Sequence, residues 1–451
     1  MSQNSREESD VSTTATPIAA LDRTLLLMRD YLKDDTAGDL LAEALLSTTV
    51  VFVANSENLR SEPAQHALVA SVLLMARSGA RIYLACPNVQ LIGNHCPLVG
   101  DRLLDAIIDV CSDIVPSCFA AVGWPAKPAD LAVFVGTTPP KGCASQAIRL
   151  GGSIWVGSIT PGAGSGQVWP SCRSPFGALV AAGLAATEAF KASMRKLAHH
   201  ATHPQIFAEL FAAVSDASVS LAPPGTPLPP SNLGQFDFVS GGAISQSALY
   251  AMSRIPHVRG VGRVIEPERN ELTNLNRYAF LRRSRLGVLK AEDLVSLPLG
   301  GIGLRAAACR YDDASKQRLL PFAPSVLVGV DHIPTRWAVQ REQPSWLGVG
   351  ATSHYMSVAS YHTQSLACAG CLHPKDDHGD APIPTVSFVS HWAGLWLAAM
   401  FCRHLTRSIS PNEQSVFLTL LRPDSPAAVW IGQVPRRRDC PVELSGGLNA
   451  A

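Results

Sequence analysis

The chain has 451 residues, 47% of them apolar and 16% charged, and its 37 basic side chains against 36 acidic ones leave a formal net charge of +1. A chain this long and apolar is expected to form two or three domains with real cores, which excludes disorder throughout. The charge balance gives no general attraction to nucleic acid or to an acidic membrane, and the longest apolar stretches, 179–186 and 392–402, fall short of the roughly 18–20 residues a bilayer needs.

In chain order, residues 1–20 are Ser/Thr-rich and acidic, with Glu7, Glu8 and Asp10 and no basic-then-apolar start. They are expected to form a disordered tail and not a secretory signal, so the cytoplasm is the expected location. Eleven cysteines is an odd count spread over a long chain, and most lie in apolar surroundings, so they are expected to be reduced thiols. Val50-Val-Phe-Val-Ala-Asn55 reads as a buried strand, 63–78 as a helix and Arg81-Ile-Tyr-Leu-Ala-Cys-Pro87 as a second strand, together a βαβ unit. Repeated prolines at 221–234 mark a linker between a first domain, 21–220, and a second, 235–451.

The second half repeats the order of the first. Phe236-Asp-Phe-Val-Ser240 leads through a Gly-rich turn into a helix over 246–254 and a strand, Gly262-Arg-Val-Ile-Glu-Pro267. Val133-Phe-Val-Gly-Thr-Thr-Pro139 matches Val326-Leu-Val-Gly-Val-Asp-His332, which puts Thr138 opposite Asp331. Small-residue helices over 176–191 and 391–403 are expected to pack closely and to close each half. The fold class expected is α/β, two Rossmann-like, mainly parallel, doubly wound domains related by internal duplication.

In such a sheet, ligands bind beyond the carboxyl ends of the strands, where a Gly-rich first turn lets backbone N–H groups approach a phosphate. Ser240-Gly-Gly-Ala-Ile-Ser245 stands at that place, with Gly241 and Gly242 as the cofactor-contacting glycines. The segment from Glu266 through Glu268 to Asn274-Leu-Asn-Arg277, then Lys290, then Asp331, resembles the nucleotide site of the ThiF/MoeB/ubiquitin-activating enzyme superfamily. The resemblance covers residues 231–405 and implies the following roles. Glu266 holds a ribose, Asn274 and Arg277 meet phosphates, Lys290 neutralises them and Asp331 handles magnesium. An Arg and a Lys converging on phosphate oxygens, with a carboxylate for the metal, suit adenylation of a carboxylate, which needs no covalent enzyme intermediate.

The same resemblance makes the first half an inactive pseudo-adenylation domain. Cys86 stands where Glu266 stands, Thr138 where Asp331 stands, and no Asn-Leu-Asn-Arg segment follows Pro87. It also implies a basic residue contributed across the domain interface, with Arg60 and Arg77 both open. Cys368-Ala-Gly-Cys371 resembles half of the family's structural zinc site. With Cys440 it leaves one of four tetrahedral positions for His373, His378 or Glu443, and a vestigial loop of free thiols is the alternative. Where the family carries a thioester cysteine this chain has Pro384-Thr-Val-Ser387, so no thiol is expected there; Cys309 is the outsider and Cys402 is expected to be core.

The function implied is ATP- and magnesium-dependent adenylation of the C-terminal carboxylate of a ubiquitin-like protein or peptide, with a conjugating-enzyme homologue as a further partner and homodimerisation left open. The alternative is an impaired scaffold of the same fold that binds a ubiquitin-like partner. NAD-dependent oxidoreduction would rest on the fold alone.

Overall fold

The computed structural model describes residues 16–136, 142–162, 169, 173–312, 314–376 and 382–442. The expected tail at 1–15, together with Thr138, His378 and Glu443, lies outside the described residues. The last five residues assigned to the tail are not part of one. Thr16 caps helix α1 (Pro17–Arg29), accepting a hydrogen bond from the Ala19 N–H at 3.3 Å, and a proline at the first helical position starts it.

The first half continues with α2 (Gly38–Leu46), β1 (Thr49–Ala54), α3 (Glu62–Arg77), β2 (Arg81–Ala85), α4 (Leu103–Ser112), β3 (Ala120–Val122), β4 (Ala129–Val135), β5 (Ala144–Gly152), β6 (Val156–Pro161), α5 (Phe176–Arg195), α6 (Pro204–Leu210) and β7 (Ala217–Ser220). The second comprises β8 (Asn232–Val239), α7 (Ala243–Met252), β9 (Arg259–Ile265), α8 (Lys290–Val295), β10 (Gly301–Ala307), α9 (Lys316–Leu319), β11 (Ser325–Val328), α10 (Ile333–Arg341), β12 (Trp346–Ser353), β13 (Met356–His362), α11 (Ala369–Leu372), α12 (Ser387–Leu405), β14 (Ser415–Thr419) and β15 (Val429–Gly432). Strand β8 takes in the last three residues assigned to the linker, so the joint spans 221–231.

Both sheets are mixed, and they share an order. The first runs β3-β2-β1-β4-β5-β6-β7 and the second β10-β9-β8-β11-β12-β13-β14-β15. In each, the first five strands pair in parallel and those beyond pair antiparallel. The long helices α5 and α12 do not close their halves as expected, because β7 follows one and β14 and β15 follow the other.

The two halves share one core, in which α3 and α5 meet α7 and α12. Every residue of α3 is buried, which explains why it shows no polar face. The small residues set the spacing. A Cβ on Gly183 of α5 would come within 2.8 Å of the Trp392 ring, and one on Gly394 of α12 would come within 2.5 Å of the Ile244 carbonyl oxygen. On its other face the second sheet has a smaller core of its own, in which Val239, Val326 and Val328 meet Leu319 of α9, Val339 of α10 and Ala369 of α11.

Candidate nucleotide site

The site lies where β8, β9 and β11 end. Ser240 closes β8 in a positive-φ conformation, +106°, which glycine adopts freely and serine does not. Its Oγ accepts a hydrogen bond from the Gly242 N–H at 2.9 Å, an interaction that holds the turn in place of a glycine. Gly241 is crowded by the next strand's acid, since a Cβ there would meet Glu266 Cγ at 3.1 Å. Gly242 caps α7, whose N-terminus opens onto the turn.

Glu266, buried just past β9, accepts the Gly241 N–H at 2.8 Å on one oxygen and the Glu268 N–H at 3.0 Å on the other. The carboxylate is therefore fixed at the mouth of the Gly-rich turn, with lone pairs left on both oxygens. Asn274 is structural in its side-chain oxygen. It accepts the Glu271 N–H at 3.0 Å while the Glu271 carboxylate accepts the Asn274 N–H, a reciprocal cap of the short turn Leu272–Asn274. Arg277 follows one turn later and donates to Asn276 Oδ1 at 2.9 Å and to the Thr273 carbonyl. Burial, with the like charge of Arg23, pushes the Arg277 guanidinium below its usual range against the opposing pull of Tyr278, Glu271 and Asp331.

Lys290 opens α8, its side chain 4% exposed, and its ammonium is paired with Glu268 and lies 5.3 Å from the Tyr278 ring centroid. Burial alone would lower its pKa, but Tyr278, Glu268 and Glu266 outweigh that and raise it, so the group is a fixed cation. Asp331 is exposed in the loop between β11 and α10. Arg336, beside it and buried, donates two hydrogen bonds to the Val330 carbonyl at 3.0 and 2.7 Å, and burial pushes its pKa down to about 10 despite the pull of Asp331.

One cation escaped sequence reasoning. Arg23 on α1 is half-buried, its Nε is shielded from solvent without a hydrogen-bond partner, and its charge is felt at Arg277. Packing of α1 on the Asn-Leu-Asn-Arg segment brings it there, with Asn276 Nδ2 donating to Thr24 Oγ1 at 2.9 Å. Of the two cross-interface candidates, Arg60 is exposed in the turn Asn58–Arg60, whereas Arg77 crosses into the second half.

Cys368, Cys371 and Cys440 converge, their sulfurs all within 4.8 Å of one another, and they are the one such cluster among the described residues. The Arg437 N–H lies 3.5 Å from Cys371 Sγ, a contact that favours a thiolate, and Gly370 leaves the room: a Cβ there would meet Cys440 Sγ at 3.0 Å. Three sulfurs at this spacing fit tetrahedral zinc at three positions. The His373 ring is not among the ligand atoms of the cluster. The ten described cysteines are all free. Cys402 is fully buried in α12, and burial pushes its thiol far up, while Cys309 is half-buried after β10. Val386, at the place of the family's thioester cysteine, is buried at the start of α12.

Residues 49–210 match the model of a family described as the BilD N-terminal domain. An uncharacterised protein, y4jF, of Sinorhizobium fredii is 26% identical over 264 residues, which cover 56% of this chain and 49% of that protein. The chain thus spans about half the length of the curated relative it matches. Among solved structures, Escherichia coli MccB with ATP overlaps 46% of this chain and 66% of its own at 16% identity and a TM-score of 0.38. MccB bound to MccA-N7isoASN overlaps the same shares at 15% identity and 0.38, and PaaA overlaps 45% of this chain and 73% of its own at 10% and 0.37. No described helix is long and apolar enough to cross a membrane.

Proposed function

We propose that the second half binds MgATP and adenylates the C-terminal carboxylate of a ubiquitin-like protein or peptide. The observation that carries this reading is the convergence of cations around Tyr278: Arg277 and Lys290 lie 5.4 and 5.3 Å from the centroid of its ring, and the like charge of Arg23 is felt at Arg277. Like charges packed together are stabilised by a polyanion, and a triphosphate is the ligand that satisfies them at the N-terminal turn of α7. In this reading Glu266 takes the ribose hydroxyls, Gly241 and Gly242 line the phosphate turn, and Glu268 releases Lys290 to the incoming phosphate. Asn274 and Arg277 hold the phosphate chain, and Asp331, exposed and free to turn inward, carries magnesium. The partner's carboxylate attacks the α-phosphorus, the new bond is a mixed anhydride with AMP, and pyrophosphate leaves.

The first half supplies no second site in this account, because Cys86 occupies the place of Glu266; its matching strand order supports descent by duplication. The three cysteines, if they take zinc, tie the segment around Cys440 to the loop before α12. With no thiol at Val386, the adenylate passes directly to an incoming nucleophile, a conjugating-enzyme homologue being the partner class that fits. One observation favours a second reading, an impaired scaffold: Ser240 consumes the Gly242 N–H that a phosphate would otherwise use. Pyrophosphate exchange with MgATP and a glycine-ended partner separates the two. Exchange supports the enzyme, and its absence alongside intact partner binding supports the scaffold.

A further inference from the structure

One buried residue that crosses between the halves is not placed to touch a nucleotide. Arg77 is the last residue of α3, 1% exposed, and its guanidinium donates to three backbone carbonyls of the other half: Leu275 at 2.9 Å, Ala279 at 3.0 Å and Leu281 at 2.9 Å. No acidic side chain pairs with it among the described residues, and burial pushes its pKa down to about 10. An arginine held in this state is costly unless its donors are used, and here two of its three nitrogens hold one short stretch of chain. That stretch begins one residue after Asn274, contains Arg277 and Tyr278, and ends nine residues before Lys290.

The contact has a counterpart running the other way. Arg254, just past α7, donates to the Cys96 carbonyl of the first half at 2.7 Å and stacks on the Tyr250 ring, 3.2 Å from its centroid. Helices α3 and α7 stand in corresponding places after β1 and β8, so the two arginines are matched. Their targets are not. Across the halves Arg254 holds one carbonyl, in a loop without candidate site residues, whereas Arg77 holds three around the Asn-Leu-Asn-Arg segment. The first half also fastens the chain just beyond that stretch: Arg282 donates to the Pro97 carbonyl at 2.7 Å, and the Arg283 N–H donates to the Asp113 carbonyl at 2.7 Å.

We infer that Arg77 is a positioning residue for the nucleotide site, and that the first half, without a site of its own, acts as the brace that fixes the phosphate-contacting segment of the second. The bracing is read from geometry alone; its effect on ATP rests on the function proposed above. A guanidinium fork meets several carbonyls at once, which a single ammonium or an apolar side chain does not.

The test is hydrogen exchange on the full chain, wild type against Arg77→Met and Arg254→Met, with calorimetric titration of MgATP. In Arg77→Met the amides of Arg277, Tyr278 and Leu281, which close the local turns, exchange about ten-fold faster or more, and ATP binds about ten- to a hundred-fold more weakly. In Arg254→Met those amides keep their wild-type rates, only the loop around Cys96 loosens, and ATP affinity is unchanged. Arg77→Lys covers the case in which the methionine variant does not fold, and it gives the same pattern in weaker form. Unchanged exchange at Arg277, Tyr278 and Leu281 in the Arg77 variants, or equal loosening by both methionine variants, overturns the inference. A wild type that binds no ATP defeats the proposed function instead, and the exchange contrast then still decides whether Arg77 is a brace.

Discussion

Replacing Lys290 with methionine separates binding from folding, because the two ends of its ion pair differ. The lysine side chain is 4% exposed, but Glu268 is 60% exposed, so breaking the pair returns that carboxylate to water, while the buried Glu266 nearby keeps its two backbone N–H donors. An ion pair open on one side contributes about 1 kcal/mol at most. Methionine keeps most of the buried stem, so stability is expected to change by about 1 kcal/mol, a few degrees in melting temperature for a chain of this size. The loss at the ligand is larger. A hydrogen bond to a charged group carries about 1.5–3 kcal/mol. At about 1.4 kcal/mol per ten-fold, Lys290→Met should weaken MgATP binding by about 10- to 150-fold. Calorimetric titration beside a thermal melt reads both quantities. Affinity within a factor of about three of wild type refutes the role given to Lys290. A melt lowered by more than about 10 °C refutes the argument that its pair is dispensable to the fold.

Asp331→Asn should leave the melt unchanged, since the residue is exposed beyond β11, and should abolish magnesium-dependent pyrophosphate exchange. Gly394→Ala should cost about 1–3 kcal/mol in a denaturant melt, because its Cβ would sit 2.5 Å from both the Ile244 carbonyl oxygen and Ser247 Cβ where α12 crosses α7. His362 and His391 are buried and neutral, burial pushing each down to about 4. The unfolded chain therefore binds protons that the native state refuses, so their contribution is intact above about pH 6.5 and is lost as pH falls towards 4. His391→Gln, whose side-chain amide can replace the donor to the Leu179 carbonyl, should flatten part of that slope in melts taken from pH 7 to 4.5. Metal analysis of the purified chain should find one zinc per chain, lost in Cys371→Ser with a lower melt.

How much of this was legible in the sequence depended on whether a signal was local. Buried strands such as Val50-Val-Phe-Val-Ala-Asn55 and the small-residue runs of α5 and α12 announce themselves, because burial on both sides leaves an unbroken apolar pattern. The start of α1 was also readable from Thr16 followed by Pro17, but the acidic composition of the preceding residues masked it. Strand β14 was missed because it pairs antiparallel with β13 across the long segment that holds α11 and α12. At the candidate site, the family resemblance named Glu266, Asn274, Arg277, Lys290 and Asp331. It could not show that Glu268 holds Lys290, or that Asn274 spends its side-chain oxygen capping its own turn. Arg23 was not legible at all and Arg77 could be named only beside Arg60, since each meets the Asn-Leu-Asn-Arg segment only through packing between elements about two hundred residues or more apart.

The central claim, one nucleotide site and that in the second half, is tested most directly by the stoichiometry of MgATP binding to the full chain. Calorimetric titration should give one site per chain in the wild type and none in Glu266→Ala, while Cys86→Ala keeps the single site. Two sites per chain, or one site that survives Glu266→Ala, would contradict it.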